Sequence, residues 1–313
     1  MKQPGNILVA VDGSDHSLNA INYVAGYCSA ATYVSLIYVL PKRPEQVFWQ
    51  VNMDEAFIAR MKDKYARWEK EQRDTSMDFL QSARALLVRR GLLESRLQII
   101  LADRQLGTAS DIVAEAQKGY DALVVGRRGL NKMGSFLLGS VSDKIVELVQ
   151  DLPVWVIGGS VHSSKMLVAV DGSENSAKAV DHMAGYAADM GAEVTLCHVI
   201  RGDEWVFGAT VFELDRDIER RLEEWRNKGL QKMFADYQMR LRAAGVKADQ
   251  ISVTCITRSL SRAADILKAA GDGGYGTIIM GRRGISKVRE FLMGRVTTKV
   301  LNGAEGLAVW IVP

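Results

Sequence analysis

The sequence predicts an α/β fold built twice: two tandem, doubly wound, five-stranded parallel-sheet domains. Three observations carry that prediction. The chain has 313 residues, about the length of two domains. Residues 8–14 read Leu-Val-Ala-Val-Asp-Gly-Ser, and residues 167–173 repeat the same letters at an offset of 159. Within each copy, apolar β-branched runs alternate with segments of helical spacing, the pattern of a mostly parallel sheet with helices on both faces. The repeat continues in order. Gly126-Arg127-Arg128-Gly129 returns as Gly281-Arg282-Arg283-Gly284, and Val154-Trp155 returns as Val309-Trp310, both at offset 155. The units are read as 1–160 and 164–313, joined by a polar stretch around Gly158–Ser164.

In the first unit, Ile7–Val11 is a continuous apolar run suited to a strand buried on both faces. Asp12-Gly13-Ser14-Asp15 follows, with Ser14 as helix cap and Leu18, Ile21, Val24 and Ala25 at helical spacing. Tyr33–Leu40 is the second strand. A long helix over about 45–90 carries Phe57, Met61, Tyr65, Trp68, Phe79, Leu80, Ala83 and Leu87 on one face and ends near Gly91. Trp68, like Trp225 in the second unit, is read as core or interface packing. Leu97–Leu101, Ala122–Val125 and Val154–Ile157 are strands, with Ile112–Ala116 and Val141–Val149 in the helices between them. The second unit repeats the order: strands Met166–Val170, Glu193–Val199, Ile251–Ile256, Thr277–Met280 and Leu307–Val312, and a long helix over about 204–244 through Ile218, Leu222, Trp225, Met233 and Tyr237. The two final strands are expected to pair within one chain, making a pseudo-dimer, with a further homodimer left open.

Composition narrows the function. Forty Lys+Arg against 37 Asp+Glu leave a net charge of +3, without the clustered basic excess of a nucleic-acid binder. No apolar run is long enough to span a membrane, and no signal peptide is evident. Cys28, Cys197 and Cys255 are scattered and suit a reducing compartment, read as the cytoplasm. The histidines His16, His162, His182 and His198 have no zinc-ligand spacing. No nucleophile–base pair, carboxylate pair or Walker lysine is present, so binding is favoured over catalysis, with slow, incidental hydrolysis as the most an enzyme reading allows.

Ligands of such sheets bind at the carboxyl ends of the strands, where the strand order reverses. Asp12 and Asp171 follow the first strand of each unit. After the fourth strand runs Gly126-x2-Gly129-x9-Gly139-Ser140. The glycines allow a tight turn and close backbone approach, and Gly139-Ser140 opens a helix whose N–H groups and dipole favour an anion. Read locally, Ser140-Val141-Ser142-Asp143 also fits plain helix capping, and Asp12 also fits a brace for the turn to Ser14. The paired arginines are read as solvated surface, or as phosphate ligands.

The strand–Asp-Gly-Ser segment, the Gly-x2-Gly-x9-Gly-[Ser/Thr] motif and the short final strand together resemble the universal stress protein family, in tandem, over nearly the whole chain. The resemblance implies a parallel α/β fold of the adenine nucleotide α-hydrolase-like kind, a stress-response regulatory role and, in nucleotide-binding members, ATP alone or with Mg2+. Carried over, it implies Asp12 at the adenosine and Val39 backbone beside the base. Gly126, Arg128 and Gly129 then line the loop, with Gly139, Ser140, Val141 and Ser142 around the phosphates. A weaker second site comprises Asp171, Val199, Gly281, Arg283, Gly284, Gly294, Arg295 and Thr297. There Arg295 replaces Ser140 and Gly276 replaces Asp121. Arg295 is expected to pair with an acid such as Glu290, to meet a bound anion, or to fill the phosphate pocket. The alternative function is a non-enzymatic interaction module. Its cavities are vestigial or hold another small molecule or lipid, and its long helices meet an unknown protein partner.

Overall fold

The computed structural model describes residues 5–42, 55–127, 138–201, 216–284 and 293–313. The first unit runs β1 (Asn6–Val11), α1 (Asp15–Tyr27), β2 (Tyr33–Leu40), α2 (Glu55–Arg89), β3 (Leu97–Asp103), α3 (Thr108–Ala116), β4 (Ala122–Gly126), α4 (Ser140–Leu148) and β5 (Val154–Ile157). The second runs β6 (Met166–Ala169), α5 (Glu174–Met190), β7 (Val194–Arg201), α6 (Arg216–Ala243), β8 (Ile251–Ser259), α7 (Arg262–Asp272), β9 (Thr277–Gly281), α8 (Arg295–Gly303) and β10 (Ala308–Val312). Every expected strand and helix is present, with ends shifted by a few residues. The expected helical stretches 45–54 and 204–215 lie outside the described residues, as do Arg128, Gly129 and Glu290.

All ten strands form one sheet in the order β3-β2-β1-β4-β5-β10-β9-β6-β7-β8. Pairing is parallel within each unit and antiparallel only at the seam, where β5 meets β10. The strand order reverses at β1 against β4 and again at β6 against β9. Those two crevices are the topological switch points at which α/β sheets take ligands.

Alternation along each strand distributes the core. Ile7 and Val9 face α1 and α2, while Leu8 faces α3 and α4. The first of these cores is continuous across both units, joining Leu80 and Leu87 of α2 to Val180 and Met183 of α5 and Tyr237 and Leu241 of α6. On the other face, Leu301 and Ala304 from α8 and its C-cap pack into the first unit's core beside Ile145 and Val146 of α4. The two long helices stop alike. Gly91 (φ +102°) and Gly245 (φ +105°) take the left-handed conformation, and the next N–H in each turns back, Leu92 to the Leu87 carbonyl and Val246 to that of Leu241.

Trp155 and Trp310 sit opposite one another at the seam, fully buried, with rings stacked at 3.8 Å between centroids. Tyr23 stands edge-on to both, and Tyr186 edge-on to Trp155. Trp155 Nε1 donates to His182 Nε2 (3.0 Å), so a helix of the second unit holds a strand of the first. The Tyr23 and Tyr27 hydroxyls meet Thr277 Oγ1 of β9 at 2.8 and 3.0 Å, making the converse tie. Burial raises the pKa of both tyrosines above the ordinary phenol value. Trp225, read as core or interface packing, is 69% exposed on α6, which overturns the core half of that reading.

Candidate functional site

The turn after β1 is organised by Asp12. Its Oδ1 accepts from the Ser14 N–H (3.1 Å) and the Ser17 hydroxyl (2.5 Å), and its own N–H donates to Ser17 Oγ (2.9 Å). Gly13 supplies the left-handed φ of +80° that the turn needs. Ser14 then caps α1 by accepting from the Ser17 N–H. The bracing reading of Asp12 is therefore realised at Oδ1. In the second unit the Asp171 Oδ1 accepts from Ser173 N–H (3.0 Å). Ser176, the counterpart of Ser17, turns away to the Ser173 carbonyl (2.9 Å) and the Tyr237 hydroxyl (2.8 Å).

The end of β4 follows a logic that differs from the expected one. A Cβ on Gly126 would stand 2.8 Å from the His16 carbonyl oxygen, and one on Gly281 2.8 Å from Asn175 Cβ. These glycines let the first helix of each unit pack on the strand end, rather than opening space for a ligand. Ser142 and Thr297, assigned to the phosphates, are buried and donate instead to the strand-end carbonyls of Gly126 (2.6 Å) and Gly281 (3.0 Å). They set the first turn of α4 and α8 against the strand. Asp121, the residue that Gly276 replaces, is remote from this strand end. It lies before β4, at the opposite end of the sheet, where its Oδ2 accepts from the Asn6 N–H (2.7 Å). At its counterpart Gly276, a Cβ would overlap the Ser163 carbonyl, so the linker requires glycine there.

Helices α1, α5 and α7 each begin with a serine whose hydroxyl accepts a backbone N–H. Helices α4 and α8 begin with Gly139 and Gly294, and no side chain caps them. Ser140 is thus the first helical residue and exposed, and the capping reading of Ser140 gives way. The Gly139 N–H donates to the Arg127 carbonyl (2.8 Å) and the Gly294 N–H to that of Arg282 (2.9 Å). The N–H groups of Ser140, Val141 and Ser142 come next and have no acceptor within the helix. They form the positive end of a helix dipole at the switch point, a cradle for an anion. In the second unit Arg295 occupies the first helical position and is exposed. A Cβ on Gly284 would overlap Asp171 Oδ2, so the loop glycine and the aspartate there are in contact. The Val199 carbonyl, expected beside a base, accepts from Arg262 Nε (3.3 Å).

Val39 is buried in β2 and registers with Ala102. Just beyond it, a cavity of about 190 Å³ opens at the ends of β2 and β3, with Lys42, Trp68, Glu69, Gln72 and Arg104 among its lining residues. An ion pair between Arg73 and Asp103 crosses it. Spacing along α2 placed Trp68 on an apolar face but carried no sign of this cavity, because its walls come from three separate segments.

The first arginine of each pair, Arg127 in one unit and Arg282 in the other, is buried rather than solvent-facing. Arg127 is 2% and Arg282 3% exposed. Arg127 Nη1 donates to the carbonyls of Leu301 (2.7 Å) and Ala304 (3.1 Å), and Nη2 to that of Asn302, all at the end of α8. Arg282 Nη1 donates to Val149 O (2.7 Å), and Nη2 to Val146 O (2.8 Å) and Glu147 O (3.3 Å), at the end of α4. Burial, and next the neighbouring Arg283 charge, lower the pKa of Arg282 from its ordinary value. Guanidinium groups remain protonated through such shifts. The surface reading of these two residues is overturned. The only sequence signal was their recurrence at offset 155.

A family model described as "Universal stress protein family" matches residues 4–158 and again residues 162–313. The universal stress protein YxiE of Bacillus subtilis is 33% identical over 142 residues, 44% of this chain and 90% of that protein. A universal stress protein of Mycolicibacterium smegmatis is 26% identical over 284 residues, covering 88% of this chain and 90% of its own. Among solved structures, a universal stress protein of Archaeoglobus fulgidus aligns over 99% of both chains with a TM-score of 0.63 at 17% identity, a likeness of fold.

Proposed function

The chain belongs to the universal stress protein family, and on that premise we propose that its first unit binds an adenine nucleotide, ATP in the first instance, as a regulatory rather than catalytic ligand. The observation that carries this reading is the start of α4. Gly139 opens that helix without a side-chain cap, directly at the β1/β4 switch point that Asp12 borders. Three successive N–H groups there suit phosphate oxygens, and the exposed Ser140 hydroxyl adds a fourth donor. Asp12 at the end of β1 suits a ribose hydroxyl, and the β2 end beside Val39 suits the base. Among the described residues no three His, Cys, Asp or Glu side chains cluster to hold a metal, so Mg2+ would arrive on the phosphates rather than on a protein cage. No helix among the described residues is long and apolar enough to cross a membrane.

The second unit supports a partial site only. Arg295 stands where the serine would be, Gly284 touches Asp171, and the Val199 carbonyl is engaged by Arg262. These observations favour the interaction-module reading for that half, with no nucleotide bound. Regulation then requires the nucleotide to distinguish two conformations or partner states of the chain.

Mass spectrometry of small molecules released from the acid-denatured purified protein, with calorimetric titration of Mg-ATP, tests the reading. About one adenine nucleotide per chain, or one titrated site, is the expected outcome, together with a raised unfolding temperature. No released nucleotide, no titration heat and no thermal stabilisation would refute it.

A further inference from the structure

We infer that each phosphate-facing helix is completed by the other unit: Arg282 is the positioning residue for α4 of the first unit, and Arg127 for α8 of the second. The inference rests on the nucleotide reading above and adds the part of the site that lies across the seam.

The argument begins with cost. A buried guanidinium loses several kcal/mol of hydration. Here the cost is met twice, at positions related by the repeat, and both groups donate to backbone carbonyls of a helix end. The last carbonyls of a helix lack intrahelical donors and carry the negative end of its dipole. Each arginine therefore neutralises the C-terminus of the helix whose N-terminus faces the opposite unit's switch point.

The backbone of the same two residues closes the circuit. Arg127 receives the Gly139 N–H at the start of α4 and donates its own N–H to the Ile157 carbonyl (2.8 Å) at the end of β5. Arg282 likewise receives the Gly294 N–H and donates to Val312 O (2.6 Å) at the end of β10. The ring thus runs from the Arg127 side chain to the end of α8, and along α8 to Gly294 and the Arg282 backbone. From the Arg282 side chain it reaches the end of α4, and along α4 it returns to Gly139 and the Arg127 backbone. Both helices have nine residues, about 13 Å. A nine-residue helix held at both ends has little freedom to slide, and sliding is what would move the N–H groups of Ser140, Val141 and Ser142 off a phosphate. Through this ring an anion at one helix is coupled to the position of the other, and such coupling is reciprocal.

The consequence runs against position in the sequence. For phosphate binding in the first unit, the side chain of Arg282 should matter more than that of Arg127. Among the described residues, the first-unit helix meets Arg127 through its backbone carbonyl, which substitution leaves in place. A residue that merely glued the units together would change the binding of nucleoside and nucleotide alike.

The test titrates the full chain with Mg-ATP and, separately, with adenosine. Arg282→Met, which keeps the apolar stem, should weaken Mg-ATP by about tenfold, within the usual 5–150-fold range of couplings, and adenosine by less than about twofold. Arg127→Met should weaken Mg-ATP by less than Arg282→Met does. Should the Arg282→Met chain fail to fold, Arg282→Lys keeps the charge without the fork, and a phosphate-specific loss of about threefold is expected. Equal losses for Mg-ATP and adenosine, or an unchanged Mg-ATP affinity in the folded Arg282 variant, would overturn the inference and leave the nucleotide reading standing. A wild-type chain that binds neither molecule would overturn both.

Discussion

The two units share their framework and differ where a ligand would touch. Ser142 and Thr297 make the same hydrogen bond to a strand-end carbonyl, and Gly126 and Gly281 admit the same helix approach. Arg127 and Arg282 reach equivalent carbonyls in opposite directions across the seam. By contrast Ser140 stands against Arg295, Ser17 donates to Asp12 whereas Ser176 turns to Tyr237, and Arg262 meets the Val199 carbonyl. Among the shared positions Ser142, Thr297, Gly281, Arg127 and Arg282 are buried, so a change in one forces changes in its neighbours. Exposed positions at a helix start carry no such constraint. The lesson is that a shared packing frame tolerates different residues at the helix start it presents.

The largest effect is expected where both units meet. Trp155→Ala and Trp310→Ala should each destabilise the chain by about 3–5 kcal/mol in equilibrium denaturant unfolding, as for other buried tryptophans. A large inequality between them would break the symmetry of the seam beyond what the Trp155–His182 hydrogen bond explains. Next comes the strand end. Gly126→Ala and Gly281→Ala should each cost about 1–3 kcal/mol by overpacking against the first helix of the same unit, measured the same way. Near-neutral values would restore the reading in which Gly126 opens space for a ligand. The smallest effect is at the divergent helix start. A cation at a helix N-terminus is unfavourable by about 0.3–1 kcal/mol, so Arg295→Ser should raise stability by that order at low salt and by less at high salt. A loss of stability on that substitution would mean that Arg295 is held by a negative group, either a bound anion or an acid such as Glu290.

Much of this was legible in the sequence because the signals are local. Apolar β-branched runs, Ser14 and Ser173 as caps, and the exact repeat at residues 8–14 and 167–173 set the order of strands and helices. The glycine-opened helix start at Gly139 was also legible, since the motif marks a turn followed by a helix. Less of the site was readable. Asp12 had two roles open to it, and only the Ser17 hydroxyl at 2.5 Å shows how Oδ1 is used. The family resemblance put Ser142 and Thr297 among the site residues, but the side on which their hydroxyls point depends on how the helix packs. Asp121 stood near the motif in sequence and at the far end of the sheet in space.

What the sequence determined by itself is therefore the doubled α/β order and the places where chain reversals and helix starts must fall. The tertiary structure alone decided that the expected pairing of the final strands is antiparallel with Trp155 opposite Trp310, that a cavity opens beyond β2, and that two arginines are buried across the seam. The physical reason is plainest for Arg127, whose partners lie at Leu301, Asn302 and Ala304. Those partners are backbone carbonyls, which every residue possesses. A contact made to them leaves no mark on the identity of the residues that make it, and only the folded chain shows where it is.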